Sequence, residues 1–425
     1  MYWLIEDLEQ LKTFYNSGYK KAYIEIISNN DQIHPSINDL CAVYIRPLEA
    51  SKGFMLCTSH SEAINVEKDW VYKILQKFDV LYCKNKKQLL HYFILQNLED
   101  ILLPPSNIDL PNIPTYDIMY RKYHKLDNVN TLVPLVKHYE WCESIYNEVK
   151  PLIHQEKTPY YEFYNTKTSV VFNAIERNGI GINTELFSEH FYPTKADTVH
   201  TQFNLNTTTT RPSNKFKGVN YAALNKKNGE RRCFIPKNDE FIELDVVAYH
   251  PSIAASLIDY TFPTADIHTH FSEMYEVDRS KAKELTFKQL YGGIFKEYKD
   301  LPFFRDLQTF MDKLWYQFQN EGYIECPISQ YRFYRDKLEN MNSNKLFNYL
   351  LQCVETSQNT LVTWDIFRIL RTRKTTLSHY CYDSFLFDFD KDEEGDLLPL
   401  ISDVFKKYNL NISEVRGKNY GEMLE

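Results

Sequence analysis

The stretch Asp278-Arg-Ser-Lys-Ala-Lys283-Glu-Leu-Thr-Phe287-Lys-Gln-Leu-Tyr291-Gly292-Gly293 places Arg279, Lys283, Phe287 and Tyr291 four residues apart. On an α-helix each step of four turns the side chain through about 400°, so all four share one slowly drifting face. Two cations spaced this way suit an anionic chain such as a triphosphate, and a flat ring one turn further on suits a base or sugar stacked beyond it. An amphipathic helix with Phe287 and Tyr291 turned to a core would read the same way in isolation. The two glycines release the chain after Tyr291.

At 425 residues the chain exceeds one typical core, so two or three domains are expected. Hydrophobic content of 43% and charged content of 25% are those of an ordinary soluble globular protein. No apolar run approaches the roughly 18 residues needed to span a bilayer. The opening Met-Tyr-Trp-Leu-Ile-Glu-Asp-Leu-Glu has acids where a signal peptide needs a basic region. The eight cysteines form no CxxC pair, which argues against a zinc site or a disulfide framework and for a reducing, cytoplasmic setting. A net charge of −8 argues against a protein that simply coats nucleic acid. Locally the balance reverses: Arg211, Lys215, Lys217, Lys226, Lys227, Arg231, Arg232 and Lys237 face a single acid, Glu230. That stretch is either a phosphate-contacting surface or a solvated basic loop.

Residues 1–155 read as an α/β region, with strand-like runs at Ala22–Ile27 and Leu40–Ile45 and helical spacing over Trp70–Phe78 and Lys86–Leu98. A helix is predicted from Tyr160 to about Glu176, closed by Asn178-Gly179. Further on, Phe241–Asp245 reads as a short strand, Phe303–Asn320 and Lys345–Leu370 as helices, and Leu377–Phe389 as a strand pair broken at Tyr382-Asp383-Ser384. The acid run from Asp388 to Asp396 reads as a solvated turn. Asp245 and Asp383 stand where a carboxylate projects from the edge of a sheet. Magnesium takes one or two carboxylates and completes its shell with water and phosphate oxygens. A lone aspartate at a strand end is more often a turn cap, so the order of the pieces decides.

A basic stretch, a strand ending on Asp245, the helix with Arg279, Lys283, Phe287 and Tyr291, and a strand turn with Asp383 follow one another. This set resembles the polymerase core of family A DNA polymerases, the bacterial DNA polymerase I type. Asp245 resembles the aspartate of that family's first palm motif, and Tyr382-Asp383-Ser384 its His-Asp-Glu motif. Arg211-Pro-Ser, Ala222-Ala-Leu-Asn225, Asp266-Ile-His268, Gly322-Tyr-Ile-Glu325, Asn348-Tyr-Leu-Leu-Gln352 and Glu414–Tyr420 resemble its further segments, and Glu176–Asn183 its lead into the thumb. The fold implied is α+β: a right-hand polymerase with an antiparallel palm sheet and helical fingers, preceded by an α/β exonuclease-like (RNase H-like) domain. The boundaries expected are 1–155 for a degenerate 3′–5′ exonuclease-like domain, 156–210 for a reduced thumb or connector, 211–262 and 341–425 for the palm, and 263–340 for the fingers.

The resemblance implies a template-directed polymerase that adds dNTPs to a primer 3′-hydroxyl. Asp245 and Asp383 would hold two Mg²⁺ ions, and Arg279 and Lys283 would bind the triphosphate, Lys283 also protonating the leaving group. Phe287 would pack on the nucleotide and Tyr291 would sit against the template-side base, while Arg211, Asn225, Asn348 and Gln352 would line primer-template DNA. Departures are equally specific. His250 stands where the family has a glutamate that blocks a ribose 2′-hydroxyl, and Ser384 replaces a glutamate. Fewer than thirty residues separate Asn183 from Arg211, too few for the family's pair of thumb helices. Weak DNA binding and short extension runs are therefore expected, unless a processivity or replisome partner or the N-terminal domain replaces the grip. In the N-terminal region Glu25 matches the first exonuclease motif, while the second and third acids have no counterpart near Lys84–Gln88 or His138–Ser144. Compact size, the missing thumb and the stripped exonuclease point to a virus- (phage-) or plasmid-encoded enzyme rather than a cellular repair polymerase. A single-subunit RNA polymerase and a non-catalytic nucleic-acid-binding scaffold are the alternatives; retention of Asp245, Asp383, Arg279 and Lys283 together weighs against the scaffold.

Overall fold

The computed structural model describes residues 3–5, 7–114, 129–214, 219–225, 227–264 and 266–423. Lys215, Lys217 and Lys226 of the basic stretch lie outside these residues. The chain divides into two compact units, Met1–Arg177 and Asn178–Glu425. Among the described residues no helix is long and apolar enough to cross a membrane.

The first unit carries a sheet of six strands: β1 (Trp3–Leu4), β2 (Lys21–Ser28), β3 (Leu40–Pro47), β4 (Phe54–Cys57), β5 (Val80–Cys83) and β6 (Leu98–Asp100). Their order is β1-β4-β3-β2-β5-β6, with β2 antiparallel to β3 and parallel to β5. Successive side chains of β2 point to opposite faces. Ala22, Ile24 and Ile26 enter one apolar cluster with α1 (Leu8–Tyr15) and α2 (Lys68–Leu75). Tyr23 and Ile27 enter the other. Both faces are covered, which is why the strand reads as an almost unbroken apolar run. The segment Lys86–Leu98 is not the helix its spacing predicts. It forms one turn, α3 (Lys86–Leu89), capped by Asn85. Tyr92, Phe93 and Leu95 then sink singly into the core, and β6 follows. Packing overrides the period. The helix α4 (Leu135–Val149) covers the second face. The unit closes with α5 (Pro159–Phe163), a π turn at Tyr164–Thr168 and α6 (Ser169–Asn178).

Asp100, at the end of β6, is fully buried and accepts hydrogen bonds from the Lys86 and Leu102 N–H groups at 2.9 and 3.1 Å. Burial outweighs those bonds and the nearby Lys86, raising its pKa from 3.8 to about 7. A folded pKa above the unfolded one contributes stability at low pH that is lost as pH rises through the folded value. Asp100→Asn is therefore expected to gain stability progressively over wild type between pH 4 and 7, measured as a difference in urea midpoints. A difference that stays constant across that range would contradict the assignment.

The second unit begins with β7 (Ile180–Ile182), α7 (Thr184–His190) and the short strands β8 (Thr198–Val199), β9 (Phe203–Asn204), β10 (Ser213–Asn214) and β11 (Phe234–Ile235). Its centre is an antiparallel sheet of β12 (Glu240–Val246), β15 (Thr376–Cys381), β16 (Ser384–Phe389) and β17 (Ile412–Gly417), in the order β15-β16-β12-β17. Between β12 and β15 come α8 (Tyr249–Leu257), α9 (Ile267–Tyr275), α10 (Arg279–Gly292), α11 (Pro302–Glu321), the hairpin β13 (Tyr323–Glu325) and β14 (Arg332–Tyr334), and α12 (Ser343–Leu370); α13 (Glu394–Lys407) precedes β17. The 28-residue α12 packs against α8, α10, α11 and α13, and is buried along most of its length. The acid run from Asp388 to Asp396 is solvated only in part: Asp392 and Asp396 are exposed, while Asp388 and Asp390 are buried. Asp388 lies in β16, is fully buried, and accepts the N–H groups of Lys237 and Asn238, each at 2.8 Å. Glu393 accepts those of Lys374 and Thr375.

Candidate active site

Antiparallel pairing sets Asp245 on β12 directly opposite Ser384 of β16 and Ser413 of β17. The two-residue turn Tyr382-Asp383 joins β15 to β16, and the Val246 N–H donates to the Asp383 carbonyl at 2.9 Å. The two aspartates predicted from sequence thus meet at one end of the central sheet. Tyr382 holds a left-handed backbone at φ 61°, unusual for a bulky residue and common where a turn aims a functional side chain. Its carbonyl accepts from the Asn359 side-chain amide at 2.7 Å, and Asn359 also accepts from the Tyr249 hydroxyl at 2.7 Å. Helix α12 therefore fastens the turn from behind. Asp383 itself is solvent-accessible, yet enough protein crowds its carboxyl that desolvation, with Glu355 adding repulsion, raises its pKa against the pull of Arg211 and His250. Glu243, on the same face of β12 as Asp245, accepts the hydroxyl of Ser384. Two carboxylates at a sheet end form an oxygen donor set that fits a hard divalent cation.

The helix α10 begins at Asp278, whose side chain caps the Lys281 N–H at 2.9 Å. Ala282, Thr286, Gln289 and Leu290 are buried, so the face with Arg279, Lys283, Phe287 and Tyr291 is turned outward. Sequence reasoning alone left open a core role for Phe287 and Tyr291. The structure leaves Phe287 half-buried and Tyr291 exposed, their rings stacked at 5.8 Å and 17°. Arg279 is held by Asp266 at 3.0 Å. Burial would raise the Asp266 carboxyl, but Arg279 and Thr269 hold it down at about 2. The other end of the helix is fixed to α12: Asn348 donates to the Tyr291 carbonyl at 2.9 Å and Asn344 to the Gly292 carbonyl at 3.4 Å. Gly293 follows at φ 106°, where a Cβ would lie 2.6 Å from the Asn344 amide nitrogen, so only glycine fits.

Arg211, His250 and Tyr291 come together around a residue that sequence reasoning missed. His250 is buried, and its Nδ1 lies 2.7 Å from the Tyr291 hydroxyl. Its Nε2 lies 3.3 Å from Oε2 of Glu355, close but without hydrogen-bond geometry. Arg211 reaches the same carboxylate, Nε to Oε2 at 3.0 Å and Nη2 to Oε1 at 3.1 Å, and its guanidinium lies 3.7 Å over the Tyr382 ring. The only signal of Glu355 in the sequence is a lone acid within the apolar run Leu350-Leu-Gln-Cys-Val354 and Glu355. Gln352, one turn away on α12, accepts from Thr209 at 3.0 Å. Asn225 is exposed in the basic stretch, where its N–H donates to Glu230 at 2.9 Å and its side chain accepts from the Lys227 N–H.

In the first unit, His34, His91 and Glu176 place ligand atoms within 4.8 Å of one another. Lys87 already neutralises Glu176, and Ser36 meets both imidazoles, with its N–H on His34 and its hydroxyl on His91. Glu25, on β2, is bound by the Lys84 ammonium at 2.7 Å and by the Tyr23 hydroxyl at 2.8 Å, and Lys84 lies 4.5 Å over the Trp141 ring.

No protein-family model and no curated protein sequence matches the chain. Among solved structures it is similar to the POL domain of Pol1 from M. smegmatis, in complex with DNA primer-template and dNTP. The TM-score is 0.71 at 12% identity, over 99% of this chain and 99% of that one. At that identity the likeness is one of fold, and this chain has the α+β fold of that polymerase domain.

Proposed function

We propose that the chain is a template-directed DNA polymerase that adds dNTPs to a primer 3′-hydroxyl. The observation that carries the reading is the meeting of Asp245 and Asp383 at one sheet end, in the unit that also presents the outward face of Arg279, Lys283, Phe287 and Tyr291. Phosphoryl transfer leaves little covalent chemistry to side chains, so positioning and charge neutralisation dominate. Asp245 and Asp383 would hold two Mg²⁺ ions, which when bound activate the attacking hydroxyl and stabilise the leaving pyrophosphate. Arg279 and Lys283 bind the triphosphate oxygens, and Lys283 hands a proton to the departing pyrophosphate. Phe287 packs on the nucleotide, and Tyr291 with His250 borders its sugar. Arg211, Asn225, Asn348 and Gln352 line the primer-template duplex. In this reading 211–262 and 341–425 are palm and 263–340 fingers. Primer extension on a templated duplex with Mg²⁺, comparing dNTPs with rNTPs, tests it. Extension with dNTPs is expected; no extension would overturn the proposal, and a preference for rNTPs would replace it with an RNA polymerase.

Two further parts of the reading concern what surrounds that site. Between Asn183 and Arg211 the chain offers one short helix, α7, and a few two-residue strands as connector. DNA affinity of the purified chain is therefore expected to be weak and to fall steeply with salt, with short extension runs unless a partner protein supplies grip. Long processive synthesis by the chain alone would refute this. The N-terminal unit acts as a scaffold without proofreading, because a protein ammonium, Lys84, already occupies the carboxylate of Glu25 that a metal would need. Metal-dependent degradation of a single-stranded 3′ end, lost in Glu25→Ala, would show the opposite.

A further inference from the structure

We infer that Glu355 is a positioning residue for sugar selection, and this rests on the polymerase reading above. Its side chain is 2% exposed, and it is the one carboxylate in contact with both Arg211 and His250 among the described residues. An isolated buried carboxylate is costly, so its partners matter: Oε1 accepts from Arg211, while Oε2 lies within ion-contact distance of Arg211 and close to His250 without a hydrogen bond. Here the partners lead in two directions. One is Arg211, stacked on Tyr382 beside Asp383. The other is His250, in contact with the Tyr291 hydroxyl on the outward face of α10.

The chemistry of the imidazole gives Glu355 its role. The Glu355 carboxylate lies 3.3 Å from Nε2, out of line for a hydrogen bond, and its negative charge there favours the ring proton on that nitrogen. Nδ1 is left as an acceptor, and the Tyr291 hydroxyl, 2.7 Å away, donates to it. The two rings stand nearly perpendicular, at 80°. His250 alone can rotate or change tautomer; with Glu355 behind it, ring and phenol are fixed as one wall where a ribose 2′-hydroxyl would have to fit. A histidine gate thus needs an acid on a second element, and α12 provides it.

The test uses the full chain and measures kcat/KM for a dNTP and for the matching rNTP. Wild type is expected to prefer the dNTP, and Glu355→Gln to reduce that preference by about tenfold or more, chiefly by improving rNTP use. In His250→Ala the preference falls similarly, and adding Glu355→Gln to it produces no further loss, since both act through one wall. A buried acid that served only stability would scale both nucleotides alike and leave the ratio unchanged in Glu355→Gln. That result, additive effects in the double variant, or a wild type indifferent to the sugar would each overturn the inference while leaving the polymerase reading intact. Absence of any extension by wild type would instead remove the polymerase reading. Should Glu355→Gln fail to fold, Glu355→Asp keeps the charge but withdraws it from His250, and the same ratio decides.

Discussion

Alanine at Asp245 or at Asp383 is expected to lower templated extension on the order of 10³-fold, because each removes one of two carboxylates available to a divalent cation. The fold should survive both changes. Asp383 sits in an exposed two-residue turn whose geometry is held by main-chain bonds, Val246 N–H to the Asp383 carbonyl and Asn359 to the Tyr382 carbonyl. Neither bond uses the carboxyl that alanine deletes. Asp245 is only half-buried, and β12 remains paired on both sides without its side chain. Loss of activity with an unchanged melting temperature is the signature of a site residue. A second readout is independent of turnover: Mg²⁺ should raise the melting temperature of wild type more than that of either variant, as any ligand that binds only the native state does. Equal extension by wild type and both variants would show that the assigned aspartates are not the site.

The largest effect on stability is expected far from that chemistry, at Glu176. Its side chain is fully buried and is contacted by Lys87 and by His91, itself inaccessible, at 2.8 Å. Burial alone would raise the Glu176 pKa, yet the Lys87 charge and the His91 contact more than offset it, so the carboxyl stays below its ordinary value. Glu176→Ala strands a buried ammonium, and removing one partner of a buried pair costs about 3–5 kcal/mol. Much of that loss reflects the charge left behind rather than the worth of the pair. Combining Glu176→Leu with Lys87→Met should therefore recover most of it. Urea denaturation of the three proteins decides the point, and a single-variant loss below about 1 kcal/mol would mean that Lys87 finds water or another partner.

How much of this could be read beforehand depends on where each residue gets its meaning. The shared face of α10 was legible because helix periodicity is a local property of the chain, whereas its outward direction depends on what packs behind Ala282 and Gln289. The strand pair around Asp383 was legible for the same reason: two apolar runs and a two-residue break specify a hairpin. Lys86–Leu98 misled because its apolar spacing fits a helix, while its rings are buried by neighbours remote in sequence. Asp388 misled in the other direction. It belongs to an acid-rich stretch, but main-chain donors of Lys237 and Asn238, about 150 positions earlier, claim it. Glu355 was the least legible. Its role depends on Arg211 and His250, which no local pattern connects to α12.

The two ends of α10 are held unequally. At the Tyr291 end, two asparagine amides of α12 grip successive carbonyls and a glycine fills the only space left. At the Arg279 end the single ion pair with Asp266 is exposed on both sides, a kind of contact that typically contributes less than about 1 kcal/mol. The helix backbone at that end is nevertheless packed, with Ala282 and Thr286 fully buried and the Thr286 hydroxyl 3.1 Å from that of Tyr275 on α9, so what is weakly held there is the Arg279 side chain. On the polymerase reading, an arriving triphosphate would compete with Asp266 for Arg279, so binding it breaks only one weak surface pair.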